Sequence, residues 1–152
     1  MTAFLVVCTA SFLAMEAVSY LVHRFVYHGF LWMIHRSHHT KRKGPFEMND
    51  VFPVVFAALT ILLMWFGFSS PGGGTLLPVT SGMTLYGCVY FFIHDLYVHR
   101  RIKSIHFRLP FLLALKKAHA VHHRHGGEPY GLLFFVSPKR LLAEIVTEDE
   151  QV

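Results

Sequence analysis

The sequence predicts an all-α, integral membrane helical bundle of three to four transmembrane helices, folded as one domain over residues 1–152. Three observations carry this prediction. Hydrophobic residues make up 53% of the chain, Phe alone counts 15, and mean hydropathy is +0.43. A soluble domain of this size would struggle to hide that much apolar surface, so a bilayer is the more natural solvent. Residues 51–68 and 76–93 are two runs of 18 without a charge, which is the length a membrane-crossing helix needs. Finally, all 14 Lys and Arg fall in three places, residues 24–43, residues 100–124, and Lys139 with Arg140.

The first element is residues 4–22, an apolar stretch interrupted by Glu16. It lacks a basic leading region and is followed by histidines instead of a cleavage site, so it reads as a span and not as a signal peptide. Asn49 and Asp50 stand directly before the second span and are expected to cap it. The turn SSPGGGT (69–75) separates the second and third spans. Residues 105–115 are too short to cross and carry Arg108 and Pro110, which suggests an interfacial or re-entrant segment. Residues 130–136 (YGLLFFV) read as a strip that caps the centre or lies on the membrane, and the acidic tail 144–152 as frayed. Cys8 and Cys88 lie within apolar spans and read as small core residues.

Cytoplasmic loops carry the excess of Lys and Arg. The first helix is therefore expected to run inward, the second outward and the third inward, with the Gly-rich turn outside. This is expected to place the polar apparatus of the chain on the cytoplasmic side of the membrane. The net charge of +5 is explained by this basic belt, so no nucleic-acid partner is expected.

Ten of the twelve histidines form two copies of one pattern. His23 and His28 make an H-x4-H pair, followed by His35, His38 and His39 as H-x2-HH. His94 and His99 repeat the pair, and His119, His122 and His123 repeat the triplet. The flanking segments SYLVHRFVYH (19–28) and YFFIHDLYVH (90–99) also match each other locally. Neutral imidazole is the commonest metal ligand, and ten are too many for one ion but natural for two. On a helix, residues three and four apart share a face, so each triplet is expected to aim three imidazoles at one point. Residues five apart are about 140° around a regular helix. Each H-x4-H pair therefore either serves two different ions or spans a place where the helix ends or bulges. His106 and His125 read as ordinary interfacial side chains.

The donor set limits the metal. Cys is absent from the clusters and carboxylates are few, whereas structural zinc takes four ligands and closes. Ten imidazoles with open positions suit a pair of redox iron ions that jointly reduce dioxygen, the co-substrate; softness also allows copper. Haem would need isolated histidines inside the spans, and a conducting pore would need polar ligands at mid-bilayer, where residues 51–68 offer only Thr60. A membrane metal-binding or electron-transfer protein is the non-enzymatic alternative.

The four motifs on membrane helices resemble the fatty-acid hydroxylase superfamily of integral-membrane di-iron oxygenases. Within it, residues 15–39 (MEAVSYLVHRFVYHGFLWMIHRSHH), FEMND (46–50), HDLYVHRR (94–101) and KKAHAVHHRH (116–125) are similar to bacterial β-carotene hydroxylases. The resemblance implies hydroxylation of the β-ionone ring of β-carotene at its 3-position, through β-cryptoxanthin to zeaxanthin, by two non-haem iron ions held by the ten histidines. A sterol or fatty-acyl hydroxylase of the same superfamily is the nearest alternative. The resemblance also implies a ferredoxin-type electron donor. No dinucleotide or flavin fingerprint is visible, so electrons must arrive from outside.

Supporting roles follow from position. Arg100, Arg101, Lys103, Lys116 and Lys117 offer a basic surface to an acidic donor. Tyr27, Tyr90, Phe25, Phe91 and Phe92 offer an aromatic path for the substrate. Glu16 is an ionisable group at membrane depth, where such groups default to function, and is expected to pair with a histidine or another polar group. Asp95 is expected to orient an imidazole through its other nitrogen.

Overall fold

The computed structural model describes residues 1–105 and 107–134. His106, residues 135–136 of the apolar strip, Lys139, Arg140 and the tail 144–152 lie outside the described residues. Among the described residues there are helices and turns but no strand.

Among the described residues five α-helices follow in order: α1 (Thr2–Leu21), α2 (Trp32–His35), α3 (Val51–Ser69), α4 (Leu76–Tyr90) and α5 (Pro110–His125). Two of them continue into wider π-helical coils, α1 through Val22–Phe30 and α4 through Phe91–Val98. With these extensions, Thr2–Phe30, Met48–Ser69 and Gly73–Val98 are long and apolar enough to cross a membrane. α5 has 16 residues and carries Lys116, Lys117 and Arg124, so the described part of the uncertain fourth segment is too short and too charged to be a span.

Large apolar side chains cover the outside of the spans. Val54, Ile61, Leu62 and Trp65 of α3 are each more than 60% exposed, as expected of a helix whose solvent is lipid. α4 is the central helix and packs against both α1 and α3. Its close approach to α1 depends on Gly82: a Cβ there would lie 2.3 Å from the Cys8 carbonyl oxygen and 2.7 Å from Ser11 Cβ. Neither cysteine is paired, and Cys88 is exposed and not a core residue.

Local chemistry sets the ends. The second span is entered through a short 3-10 turn, Met48–Asp50, capped reciprocally by Glu47 and Asp50. α3 stops at Ser70, which is extended ahead of Pro71, and Gly72 makes the turn at φ 77°. α5 starts at Pro110, where a missing N–H costs nothing, and ends on Gly126 in the left-handed conformation. Its buried residues are Leu115, Ala118, His119, Val121 and His122. The core proper, Met15, Tyr86, Ile93, Leu115, Leu132 and Leu133, sits where α1, α4, α5 and residues 132–133 meet, directly beside the histidines.

Candidate metal centre

The ten clustered histidines converge from five places: the π coil after α1, α2 and the turn behind it, the π coil after α4, and two turns of α5. They divide into two groups. In the first, His23, His28, His35, His39 and His122 bring one ring nitrogen each to within 4.8 Å of one another. In the second, His38, His99, His119 and His123 do the same, and His94 joins them with its Nε2 3.1 Å from that of His38.

The π coils explain the awkward spacing of the pairs. In these segments a backbone N–H reaches the carbonyl five residues back, as from Leu31 to Val26 at 3.0 Å and from His99 to His94 at 2.9 Å. A wider turn brings residues five apart onto one side. The ring centroids of His23 and His28 are therefore 5.0 Å apart, and those of His94 and His99 4.6 Å. Of the two possibilities left open by the sequence, the bulged helix is the one realised, and each pair serves a single group.

The triplets behave differently from the expectation. Neither aims all three imidazoles at one point. His35 and His39 enter the first group while His38 enters the second; His119 and His123 enter the second while His122 enters the first. The reason is angular. Residues four apart on a helix are about 40° apart, whereas the third and fourth positions are about 100° apart. A triplet lying between two sites naturally sends its outer members one way and its middle member the other. The first triplet also lies at the end of α2, in a tighter turn where the His38 N–H bonds the His35 carbonyl at 2.8 Å.

The nitrogens that face inward are Nε2 atoms. Nε2 of His23 lies 3.1 Å from that of His35, His28 from His122 at 3.1 Å, and His39 from His35 at 3.3 Å. In the second group His99 and His123 each place Nε2 2.8 Å from that of His119. An ion bound by imidazole at about 2.0–2.1 Å separates neighbouring ligand nitrogens by about 2.9 Å at right angles and about 3.4 Å at tetrahedral angles. The observed spacings match that range.

The other ring nitrogens fix the tautomers. Nδ1–H of His23 donates to the Tyr130 carbonyl at 2.8 Å, His35 to Asn49 Oδ1 at 2.7 Å and His122 to the Gly127 carbonyl at 2.6 Å. His38 donates to Glu47 Oε1 at 2.8 Å and His94 to Asp95 Oδ2 at 3.1 Å. With Nδ1 protonated, Nε2 presents a lone pair. His23 and His35 then oppose lone pair to lone pair, as do His38 and His94, an arrangement that calls for a cation between them. Burial also lowers His35, His38, His99 and His122 from the ordinary 6.5 to about 3. All four are thus neutral at physiological pH, the form that binds metal.

Some supporting residues are not where the sequence reading put them. Asn49 does not cap α3; it accepts from His35. The Asp50 side chain does not cap α3 either; it caps the 3-10 turn ahead of it, accepting the Glu47 N–H at 3.0 Å, and also holds Arg101. Glu47, given no role of its own in the sequence reading, backs His38; its signals were the FEMND stretch (46–50) quoted for the resemblance and a polar cluster ahead of an apolar run. Arg101 points into a carboxylate cluster formed by Asp95, Glu47 and Asp50, so it is not part of a basic docking surface. Glu16 pairs, as the second of its two expected alternatives, with a polar group and not with a histidine. Its Oε2 accepts from Tyr86 Oη at 2.7 Å, and its Oε1 accepts the backbone N–H groups of Leu132, Leu133 and Phe134 at 2.8, 2.9 and 3.1 Å. It anchors the strip that covers the first group, whose Tyr130 ring lies 5.1–5.5 Å from the rings of His23, His28 and His122. His125 is exposed and belongs to neither group.

An apolar cavity of about 490 Å³ opens between α1 and α3 over α4. Met15, Val18, Phe52, Phe56, Ala57 and Met83 line it, and it ends on His35 and His94, one histidine from each group. Tyr27, Tyr90 and Phe91 of the expected aromatic path line it too. Phe25 and Phe92 do not; they are 60% and 40% exposed.

Fold and site together define a membrane-type helical protein built around a histidine-rich metal site. The chain belongs to the fatty acid hydroxylase family, whose profile matches residues 8–139. It is 40% identical to a β-carotene hydroxylase of Pantoea ananas over 88% of this chain and 78% of that one. It is 41% identical to a β-carotene hydroxylase of Pseudescherichia vulneris over 88% and 77%. A chloroplastic β-carotene 3-hydroxylase of Arabidopsis thaliana is 40% identical over 84% of this chain but 42% of its own length. No solved structure matches the chain.

Proposed function

We propose that this protein is a membrane di-iron hydroxylase that places a hydroxyl on the β-ionone ring of β-carotene at the 3-position, giving β-cryptoxanthin and then zeaxanthin. The observation that carries the reading is the apolar cavity ending on one histidine of each group. A carotenoid is long, rigid and apolar. Lying in the bilayer, it can slide a terminal ring between α1 and α3 until the ring meets both groups, while the rest of the chain stays in lipid.

The ten histidines His23, His28, His35, His38, His39, His94, His99, His119, His122 and His123 are the proposed ligands, five to each of two iron ions. When bound, the ions supply the redox chemistry that reduces dioxygen. One oxygen atom enters the C–H bond, and two electrons and two protons convert the other to water. The chain's own residues position and exclude. Asn49, Glu47, Asp95 and the Tyr130 and Gly127 carbonyls hold the imidazoles in one tautomer and orientation. The strip anchored by Glu16 covers the first group, and Phe52 with Tyr27, stacked at 4.0 Å between centroids, lines the cavity beside His35. A ferredoxin-type donor supplies the electrons at the polar end, where Arg100 and Lys103 are surface residues; the basic belt supports a cytoplasmic side for that end, and the proposed location is a bacterial inner membrane.

Expression in bacteria that accumulate β-carotene tests the reading. Pigment chromatography is expected to show conversion to zeaxanthin with oxygen and none without it. Unchanged β-carotene beside a newly hydroxylated sterol or fatty acid would refute the carotenoid assignment and leave the family chemistry standing.

A further inference from the structure

The two histidine groups are backed by different chemistry. In the first, the anchored Nδ1 atoms face neutral acceptors: the Tyr130 carbonyl for His23, the Asn49 amide for His35 and the Gly127 carbonyl for His122. In the second, the anchored pair faces carboxylates, Glu47 for His38 and Asp95 for His94. One side chain joins those two carboxylates. Arg101 places Nε 2.9 Å from Asp95 Oδ1 and Nη2 3.4 Å from Glu47 Oε1, and binds Asp50, which itself caps the Glu47 backbone. The guanidinium fork suits this task, since it is planar, always charged and able to hold several oxygens at fixed angles.

We infer that Arg101 is a positioning residue that makes the two metal sites unequal: it holds Glu47 and Asp95 against His38 and His94, so the ion in the second group is bound more tightly than the ion in the first. The inference rests on the reading of both groups as metal sites. A carboxylate behind an imidazole raises the basicity of the ligand nitrogen, and loss of such a partner costs about 10–100-fold in metal affinity. Three carboxylates around one guanidinium also leave excess negative charge beside the second group. A neutral amide or carbonyl fixes a tautomer equally well but adds no charge. Without Arg101, Glu47 and Asp95 would stand as neighbouring like charges and turn apart, which would release both imidazoles together.

The test is the release of ferrous iron from the purified full-length protein to a coloured chelator, followed in time. Two phases of equal amplitude are expected, one slow and one fast. Arg101→Gln and Glu47→Gln should each accelerate the slow phase by about 10–100-fold and leave the fast phase within about twofold, while Arg101→Lys should restore part of the difference. Asn49→Asp should slow the fast phase, because it gives His35 a carboxylate of its own. Loss of a merely structural Arg101 would move both phases alike, and Arg101→Lys would then restore neither selectively. Two ions released at one rate, or phases that ignore Arg101→Gln, would overturn the inference while leaving the metal centre in place. A chain that binds no iron would overturn the metal reading itself.

Discussion

At the scale of single residues, the polar groups of this protein are placed to remove freedom from the histidines. Glu16 shows how far that extends. It is 7% exposed at membrane depth and satisfies four donors, three of them backbone N–H groups of the covering strip. Glu16→Ala should strand those groups at about 1–3 kcal/mol each and loosen the strip. Glu16→Gln retains an acceptor oxygen and should stay close to the parent. Thermal unfolding and proteolysis of residues 126–134 would check this, and an Ala variant as stable as the parent would contradict it.

Protonation belongs to the same scale. His35, His38, His99 and His122 titrate near 3 in the metal-free fold, against about 6.5 in an unfolded chain. A depressed value means that the folded form binds fewer protons than the unfolded one. Its contribution to stability is fully present above about pH 6.5 and is lost as pH falls from there towards 3. The melting temperature of chelator-treated protein should therefore drop continuously below about pH 6.5; a flat profile down to pH 4 would argue that these rings are solvated. Much of the residue scale was legible in the sequence, because ten histidines at ligand spacing announce themselves. Their partners were not. Glu47, Asn49 and Arg101 sit 9, 14 and 7 residues from histidines they support directly or through Asp95, and nothing in local spacing distinguishes such a partner from a helix cap or a basic loop.

At the scale of elements, two wide turns and one glycine decide the geometry. Apolar run length marked the spans correctly, since the bilayer fixes that length. The π coils were legible only as a conflict: a pair five apart cannot converge on a regular helix, so either the helix or the shared site had to give way. The division of each triplet between the groups was hidden, because spacing says which residues share a face and not how many ions that face lies between. Gly82 carries the α1–α4 contact. Gly82→Ala would drive a Cβ to within 2.3 Å of the Cys8 carbonyl, a backbone atom that cannot rotate away. Helix separation should cost about 1–3 kcal/mol and reduce the thermal midpoint without changing the histidine ligands. An unchanged midpoint would mean that the helices pack less closely than described.

At the scale of the whole molecule, all histidine motifs gather at one end of three spans and the Gly-rich turn lies at the other. The charge belt is on the histidine end, so a reporter inserted after Gly73 should read as external; an internal reading would invert the proposed topology. The same arrangement brings an apolar cavity to the two histidine groups, which is what the proposed oxidation of a membrane-dissolved substrate requires. The central claim is that ten imidazoles form two five-nitrogen cages, each holding one ion. The most direct measurement is the metal content of purified protein reconstituted with ferrous iron, combined with X-ray absorption at the iron edge. Two ions per chain, each with about five nitrogen neighbours near 2.1 Å, is the predicted result; one ion or none per chain would contradict it.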